Sequence, residues 1–249
     1  MTKYNMDYIL ILGSTSDIGN ALAEKYLSKG YGLILAGRNE DSLKTQKDNL
    51  LNIYASSTIK TVTFNANDYE SHTSFYNTLP VKPMGVVTLI GYLGEQKVSE
   101  LSFKETHEVY AANLIGNVSI LNIIATDFEK RSRGFIVGVS SVAGLRGRKS
   151  NYIYGSAKAG FISYLSGLRN RLHSSNISVL TVLPGFVATK MTQHLTLPKR
   201  LTATPNEVAN AIYKAQQRQK STVFVKPIWR YIMMIIQSIP EFIFKRLSL

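Results

Sequence analysis

The chain has 249 residues, of which 45% are hydrophobic and 18% charged. That length suits one large domain with a substantial core, and the hydrophobicity excludes a disordered chain. With no cysteine there is no disulfide scaffold, Cys-ligated metal or thiol nucleophile. The net charge of +13 is uneven: residues 1–124 carry 10 Lys and Arg against 12 Asp and Glu, and residues 125–249 carry 19 against 4. A basic half of this kind points to an anionic partner or is a solvated face.

In chain order, apolar runs alternate with helix-length amphipathic stretches. The opening residues Met1–Asp7 carry an acid before a short apolar run, so no secretory signal is expected and the protein is placed in the cytoplasm. Strands are predicted at Tyr8–Leu12, Tyr31–Ala36, Thr61–Asn65, Val86–Ile90, Gly134–Val139, Ile177–Leu183 and Thr222–Val225. They are continuous apolar runs, as expected of strands covered on both faces. Helices are predicted near 18–29, 40–54, 69–78, 105–131, 151–173 and 205–218. The alternation predicts an α/β fold: a single Rossmann-type doubly wound domain over 1–225, with about seven parallel strands flanked by helices. An apolar and basic helical tail follows over 226–249.

The first strand runs into Gly13-Ser14-Thr15-Ser16-Asp17-Ile18-Gly19. A strand, a tight glycine turn and a helix N-terminus form a site for a pyrophosphate. Ser14, Thr15 and Ser16 add hydroxyl donors. Glycine there also serves turn geometry alone. The second strand ends at Leu35-Ala36-Gly37-Arg38-Asn39. An acid at that place would hold a free ribose 2′-hydroxyl, whereas Arg38 suits a 2′-phosphate. NADPH or NADP+ is therefore expected rather than NADH. The other reading of Arg38 is a surface cation starting a helix.

Tyr154 and Lys158 stand at i and i+4 on one predicted helix face. An ammonium beside a phenol stabilises the phenolate, which suits acid–base work. With 14 Tyr and 18 Lys in the chain, about one such pair arises by chance, so the motif alone says little. Its company matters more. Ser140-Ser141 ends the fifth strand, Asn113 lies in Ala112-Asn113-Leu114, and Pro184-Gly185 ends the sixth strand ahead of Thr189.

In this set, in this order, the sequence resembles the short-chain dehydrogenase/reductase family from residue 8 to about 225. The resemblance implies an NAD(P)-dependent oxidoreductase acting on alcohol and carbonyl groups, with Tyr154 as general acid. Lys158 would lower the Tyr154 pKa and bind the nicotinamide ribose. Ser141 would orient the carbonyl, with Ser140 supporting the strand. Asn113 would hold a relay water at a local helix distortion. Cofactor contacts are implied for Gly13 through Gly19, Arg38, Asn39, Asn65, Ala66, Gly91, Tyr154, Lys158, Pro184, Gly185, Val187 and Thr189. A homodimer or homotetramer is also implied.

Two departures stand out. Asp17 replaces the middle glycine of the turn, where it points outward or caps the helix. Ile90-Gly91-Tyr92-Leu93-Gly94 replaces the family's Asn-Asn-Ala-Gly. The turn itself resembles that of reductases that work with an oxidase partner to epimerise decaprenylphosphoryl-ribose, and of reductases encoded with surface-polysaccharide genes. That resemblance implies a lipid-linked or polysaccharide-precursor keto sugar and a partner oxidase.

Residues 226–249 have ten uncharged residues at most in a row, Tyr231–Pro240, against the 17–25 that a spanning helix needs. On a helix, Ile228, Ile232, Ile235, Ile239 and Ile243 share one face, and Pro240 interrupts it. With Trp229, Tyr231, Phe242 and Phe244 beside Arg230, Lys245 and Arg246, this reads as an interfacial helix on the inner membrane face. The competing reading is packing on the protein or a subunit. Arg146, Arg148 and Lys149 are placed at the pocket rim, as ligands of a substrate phosphate or as a solvated loop. His173 and His194 border the substrate or are surface histidines. The four histidines have no metal-ligand spacing, so no metal is expected. No nucleic-acid module is present, and no nucleic acid is expected. The leading functional expectation is an NADPH-dependent ketoreductase of a small-molecule or lipid-linked keto substrate. The alternatives are a 3-oxoacyl or long-chain keto-lipid reductase, and a non-catalytic NADP-binding scaffold or redox sensor.

Overall fold

The computed structural model describes residues 6–193 and 195–247. Met1–Asn5, His194, Ser248 and Leu249 lie outside the described residues, and so does the expectation placed on His194. The elements are β1 (Tyr8–Leu12), α1 (Asp17–Leu27), β2 (Gly32–Gly37), α2 (Glu40–Ile53), β3 (Ile59–Thr63), α3 (Ser71–Asn77) and β4 (Gly85–Thr88). There follow α4 (Gln96–Leu101), α5 (Phe103–Tyr110), a π turn (Ala111–Ile115), α6 (Gly116–Arg131) and β5 (Phe135–Val139). A short 3-10 turn (Val142–Leu145) leads to α7 (Tyr152–Leu172), β6 (Ser178–Pro184), β7 (Phe186–Val187) and β8 (Thr202–Ala203). The last elements are α8 (Pro205–Gln217), β9 (Thr222–Val225), α9 (Ile228–Ser238) and α10 (Glu241–Phe244).

Seven parallel strands form one sheet in the order β3-β2-β1-β4-β5-β6-β9. Alternate residues of each strand feed two separate cores. Ile9, Ile11, Leu33, Leu35 and Val137 pack against Leu22, Tyr26, Leu43, Val208 and Ile212 of α1, α2 and α8. Leu10, Leu12, Ile34, Val86 and Ile136 pack against Phe75, Ile120, Phe128, Phe161 and Leu165 of α3, α6 and α7. Burial on both faces is why the strands read as continuous apolar runs. The order reverses between β1 and β4, and a crevice opens there at the strand C-termini.

Three predicted elements change. The third strand is Ile59–Thr63, two residues earlier than expected, because its pairing with β2 runs from Leu33↔Ile59 to Gly37↔Thr63. It is an edge strand with Lys60, Thr61 and Thr63 exposed. The long helix expected over 105–131 is broken into α5, the π turn and α6, and α4 precedes it. Ser102 separates α4 from α5, its side chain accepting from the Glu105 N–H. The tail forms two helices, and Pro240 divides them.

Gly19 shows how tightly the first crossover is built. A Cβ there would stand 2.1 Å from the Ser14 carbonyl oxygen. Gly19→Ala is expected to lower stability by about 3 kcal/mol in urea unfolding, as overpacking against backbone does. Gly167, exposed within α7 with no atom near its Cβ position, is the converse. Gly167→Ala should raise stability by about 0.5–1 kcal/mol in the same assay.

Candidate active site

Four side chains converge at the ends of β4, β5 and β6. On α7, Tyr154 and Lys158 are one turn apart, with the Lys158 Nζ 5.7 Å from the Tyr154 ring centroid. The turn after Ser141 presses onto this helix. A Cβ on Gly144 would meet the Ala159 nitrogen at 2.7 Å, and one on Gly155 would meet the Ala143 oxygen at 2.9 Å. That close approach sets the Ser141 hydroxyl beside Tyr154, where it lowers the pKa of the phenol. The Ser141 Oγ also accepts from the Ala143 N–H at 3.1 Å. Ser140 supports the strand end, donating from Oγ to the Lys158 carbonyl at 2.9 Å.

Asn113 lies fully buried in the π turn, so the helix is distorted where expected. Its side chain, however, is occupied. Nδ2 donates to the Tyr92 and Val109 carbonyls, and Oδ1 accepts from the Tyr92 N–H at 3.3 Å. The amide pins the loop after β4 instead of reaching outward. The bare Cα of Gly91 fits against it: a Cβ would stand 2.9 Å from the Asn113 Oδ1 and 3.2 Å from the Lys158 Nζ. Gly91 thus takes the place that the missing Asn-Asn-Ala-Gly left in doubt.

The electrostatics differ from the expectation in one respect. Burial pushes the Tyr154 hydroxyl up to about 12, and the Ser141 hydroxyl pulls the other way. Burial also brings Lys158 down to about 8. Its Nζ donates to the Val139 carbonyl at 3.3 Å, and no carboxylate pairs with it among the described residues. In this state Tyr154 is a protonated phenol, and the hydroxyl of Ser141 eases its ionisation.

A cleft of about 510 Å³ crosses the ends of β4, β1 and β2 and borders this cluster at Gly91. Gly13, Thr15, Ser16, Arg38, Asn65, Ala66 and Gly91 line it. Gly13 has φ +80°, a backbone that only glycine adopts readily. Ser16 is the N-cap of α1, accepting from Gly19 N–H at 3.1 Å. The unpaired N–H groups of the first turn of α1, at Asp17 and Ile18, add donors beside the cleft. Arg38 is exposed and has no salt-bridge partner among the described residues. The backbone donors, the free cation and the bare Cα atoms fit a phosphorylated dinucleotide.

Several predicted contacts fall elsewhere. Ser14 is fully buried, its hydroxyl donating to Gln46 Oε1 at 2.9 Å and its N–H to the Ala36 carbonyl at 3.1 Å. It braces the turn and offers no donor to the cleft. Asn39 caps α2, its Oδ1 accepting from the Ser42 N–H at 2.7 Å. Asp17 turns away from the glycine loop and accepts from the Lys190 N–H at 2.7 Å. It joins Thr189, Lys190 and Thr192 in a second cleft of about 600 Å³. Val187 is buried in the core beside β8, and Pro184 ends β6. Gly185 is covered by the tail, since a Cβ there would lie 1.9 Å from the Trp229 indole. Arg146 is turned toward the tail and not the pocket, donating to three of its carbonyls. Residues not anticipated from sequence also line the first cleft: Phe64, Asn67, Tyr92, Glu105 and Glu108. The Tyr92 hydroxyl donates to Glu105 at 2.7 Å and Asn67 donates to Glu108 at 3.2 Å. Their only sequence signal is their place after β3 and β4.

The Lys158 shift makes stability depend on pH. A folded-state pKa near 8 against 10.5 means that the folded protein binds fewer protons between those values. Stability from this group therefore rises as pH rises from about 8 to 10.5 and is lowest below 8. Lys158→Met should raise the Tm at pH 7, with the gain shrinking steadily toward pH 10.5 in a thermal-melt series.

Comparison with known proteins places this arrangement. The short chain dehydrogenase family model matches residues 7–200. An oxidoreductase of Mycobacterium tuberculosis is 34% identical over 242 residues, 96% of each chain. A 3-oxoacyl-[acyl-carrier-protein] reductase of Aquifex aeolicus is 29% identical over 218 residues, 82% of this chain and 87% of that one. A short-chain dehydrogenase of Sphingobium yanoikuyae, solved in complex with NADPH, superposes with a TM-score of 0.81 at 18% identity, covering 95% of this chain and 97% of that one.

Proposed function

Because the chain belongs to the short-chain dehydrogenase/reductase family of NAD(P)-dependent oxidoreductases, we propose that it reduces a carbonyl group with NADPH, on a lipid-linked or polysaccharide-precursor sugar at the cytosolic membrane face. The convergence of Ser141, Tyr154 and Lys158 where β5 meets α7 carries the reading of the chemistry. When bound, the cofactor supplies the hydride, and the chain's own residues bind, orient and move a proton. Gly13, Thr15, Ser16 and the first turn of α1 hold the pyrophosphate, and Arg38 pairs with the 2′-phosphate. Lys158 binds the nicotinamide ribose. Ser141 donates to the carbonyl oxygen and orients it. Tyr154 gives its proton to that oxygen as it becomes an alcohol, and burial favours the protonated phenol before transfer. Asn113 holds the loop after β4 against Lys158.

Two observations support the finer substrate reading. Arg148, on the turn between Ser141 and Tyr154, has a buried Nε with no hydrogen-bond partner. Burial lowers its pKa and no carboxylate pairs with it among the described residues. An anionic substrate group would satisfy it. On α9, Ile228, Tyr231, Met234 and Ile235 are exposed, as are Phe242, Ile243 and Leu247 beyond Pro240. Arg230, Lys245 and Arg246 flank them. An apolar face rimmed by cations suits the interface of an anionic bilayer. The second reading, reduction of a 3-oxoacyl or long-chain keto lipid, is favoured by the Aquifex aeolicus relative.

The test is NADPH oxidation with a polyprenyl-phosphate-linked keto sugar and with a 3-oxoacyl thioester side by side. Tyr154→Phe should lower turnover about 10²–10⁴-fold while NADPH still binds. Retained turnover would refute the role of Tyr154. Arg38→Ala should weaken NADPH about 10- to 100-fold by calorimetry, the worth of a charge-assisted pair, and leave NADH binding unchanged. Co-sedimentation with phosphatidylglycerol vesicles should be lost in Ile235→Glu, and equal sedimentation of the two proteins would remove the membrane reading.

A further inference from the structure

Arg146 makes more polar contacts with residues 226–249 than any other side chain of the domain, yet it stands five residues after Ser141. Its side chain is 16% exposed. Nη1 donates to the carbonyls of Ile236 at 2.7 Å, Gln237 at 3.0 Å and Ile239 at 2.7 Å. Nη2 donates to the Glu241 carboxylate at 3.0 Å, and the guanidinium lies 3.7 Å over the Phe244 ring. The carbonyls of Ile236 and Gln237 are among those that α9 cannot pair for itself, because the helix stops before Pro240, which has no N–H, and Ile239 lies in the link just beyond. Glu241 is 78% exposed, so that ion pair contributes little. The shielded, charge-assisted bonds to the carbonyls do the holding. Gln237 returns a bond from Nε2 to the Leu145 carbonyl at 3.3 Å.

The inner face of α9 completes the attachment. Trp229 and Met233 are buried against Val142 and Leu183, with Leu145, Ile162 and Phe186 around them. The Trp229 Nε1 donates to the Leu201 carbonyl at 3.0 Å, and its ring covers the bare Cα of Gly185. These contacts land on both segments that flank Ser141. One is the turn Val142–Leu145, whose Ala143 and Gly144 N–H groups donate to the Ser141 hydroxyl and carbonyl oxygens. The other is the end of β6, where the Pro184 carbonyl lies 3.5 Å from the Ser141 Oγ.

We propose that α9 and α10 form a strap, clamped by Arg146, that sets the position of Ser141, and that Arg146 is a positioning residue for carbonyl reduction. The proposal rests on the reading of Ser141 as the group that orients the carbonyl. Arg146 is suited to the task because one guanidinium nitrogen meets three carbonyls while the other meets Glu241 and the plane covers the Phe244 ring. A lysine ammonium keeps the charge but cannot hold the carbonyls, the carboxylate and the ring face together. With the clamp open, the turn after Ser141 loses its cover. The Ser141 hydroxyl then drifts from Tyr154, whose pKa it pulls down.

The experiment uses the full chain, in which Trp229 is the single tryptophan and reports docking of the strap. Arg146→Ala should red-shift its emission and lower kcat about 10- to 100-fold, the scale of a 1 Å misplacement. NADPH affinity should stay unchanged. The limb of the kcat–pH profile set by Tyr154 should move to higher pH, and added methylguanidinium should restore kcat in part. Arg146→Lys should behave like Arg146→Ala, and it stands in if that variant fails to fold. Arg171→Gln, which removes a distant surface pair with Glu129, is the control. A wild-type kcat and pH profile in the Arg146 variants overturns the proposal, whatever the emission. So does a lowered kcat with an unmoved pH limb and no rescue, which would mark general damage. Ser141→Ala is measured alongside. Full activity there would remove the underlying reading of Ser141, a failure distinct from that of the clamp.

Discussion

A parallel sheet covered on both faces can place polar groups only at the ends of its strands. Here the reversal of strand order between β1 and β4 spreads those ends apart. Gly13 leaves β1, Arg38 leaves β2, Gly91 leaves β4, Ser141 leaves β5 and Pro184 closes β6, all on one edge. The two cores hold the strands in register, so each loop starts from a set height. Local chemistry then decides only which way each loop turns. Asn113 turns the loop after β4 and Gln46 braces the loop after β1. The glycines remove the Cβ atoms that would block contact.

The cost of this arrangement is concentrated on Lys158. An ammonium that is 3% exposed, with one long bond to a carbonyl, is held against its tendency to lose the proton. A protein selected for stability alone would place an apolar side chain there. Its neighbours are arranged for contact and not for neutralisation: the Gly91 Cα on one side, the phenol of Tyr154 on another, the end of β5 below. The strain is tolerated because α7 is anchored along its length by Phe161, Leu165, Leu168 and Leu172. Function and folding therefore share one helix, with the uncompensated group at its N-terminal third and the apolar stripe beyond.

The seven strands were legible because burial on both faces leaves continuous apolar runs, and the family was legible because the glycine turn, Asn113, Ser141, Tyr154, Lys158 and Pro184-Gly185 stand in a shared order along those strands. What sequence could not show was which partner a polar side chain would find. Ser14 lies in a glycine turn among hydroxyl donors, yet it faces Gln46, 32 residues away. Asn39 sits beside Arg38 at a strand end, yet it caps the next helix. Arg146 lies between Ser141 and Tyr154 and reaches carbonyls 90 or more residues away. Such choices depend on tertiary contacts that carry no periodicity. The short helix α4 escaped, and the bounds of the edge strand β3 slipped by two residues, for a related reason. Six residues with one buried position, or five with exposed residues on both faces, give little pattern to read.

The tail shows how two readings of one segment can both describe it. The isoleucines were expected on a single face, but Ile232 packs inward while Ile228 and Ile235 are exposed. The reason is that the apolar surface of α9 wraps well beyond half the helix, leaving Arg230, Gln237 and Ser238 as its polar positions. A surface helix serving one core needs a narrower apolar arc. Trp229, Ile232, Met233 and Ile236 account for the side that meets the domain. Ile228, Tyr231, Met234 and Ile235 exceed what that contact requires. Packing on the protein leaves this outer arc uncovered and so does not exclude the proposed contact with a lipid surface. The first uses one arc, and its clamp by Arg146 presents the other arc in a fixed orientation, close to the turn that carries Ser141.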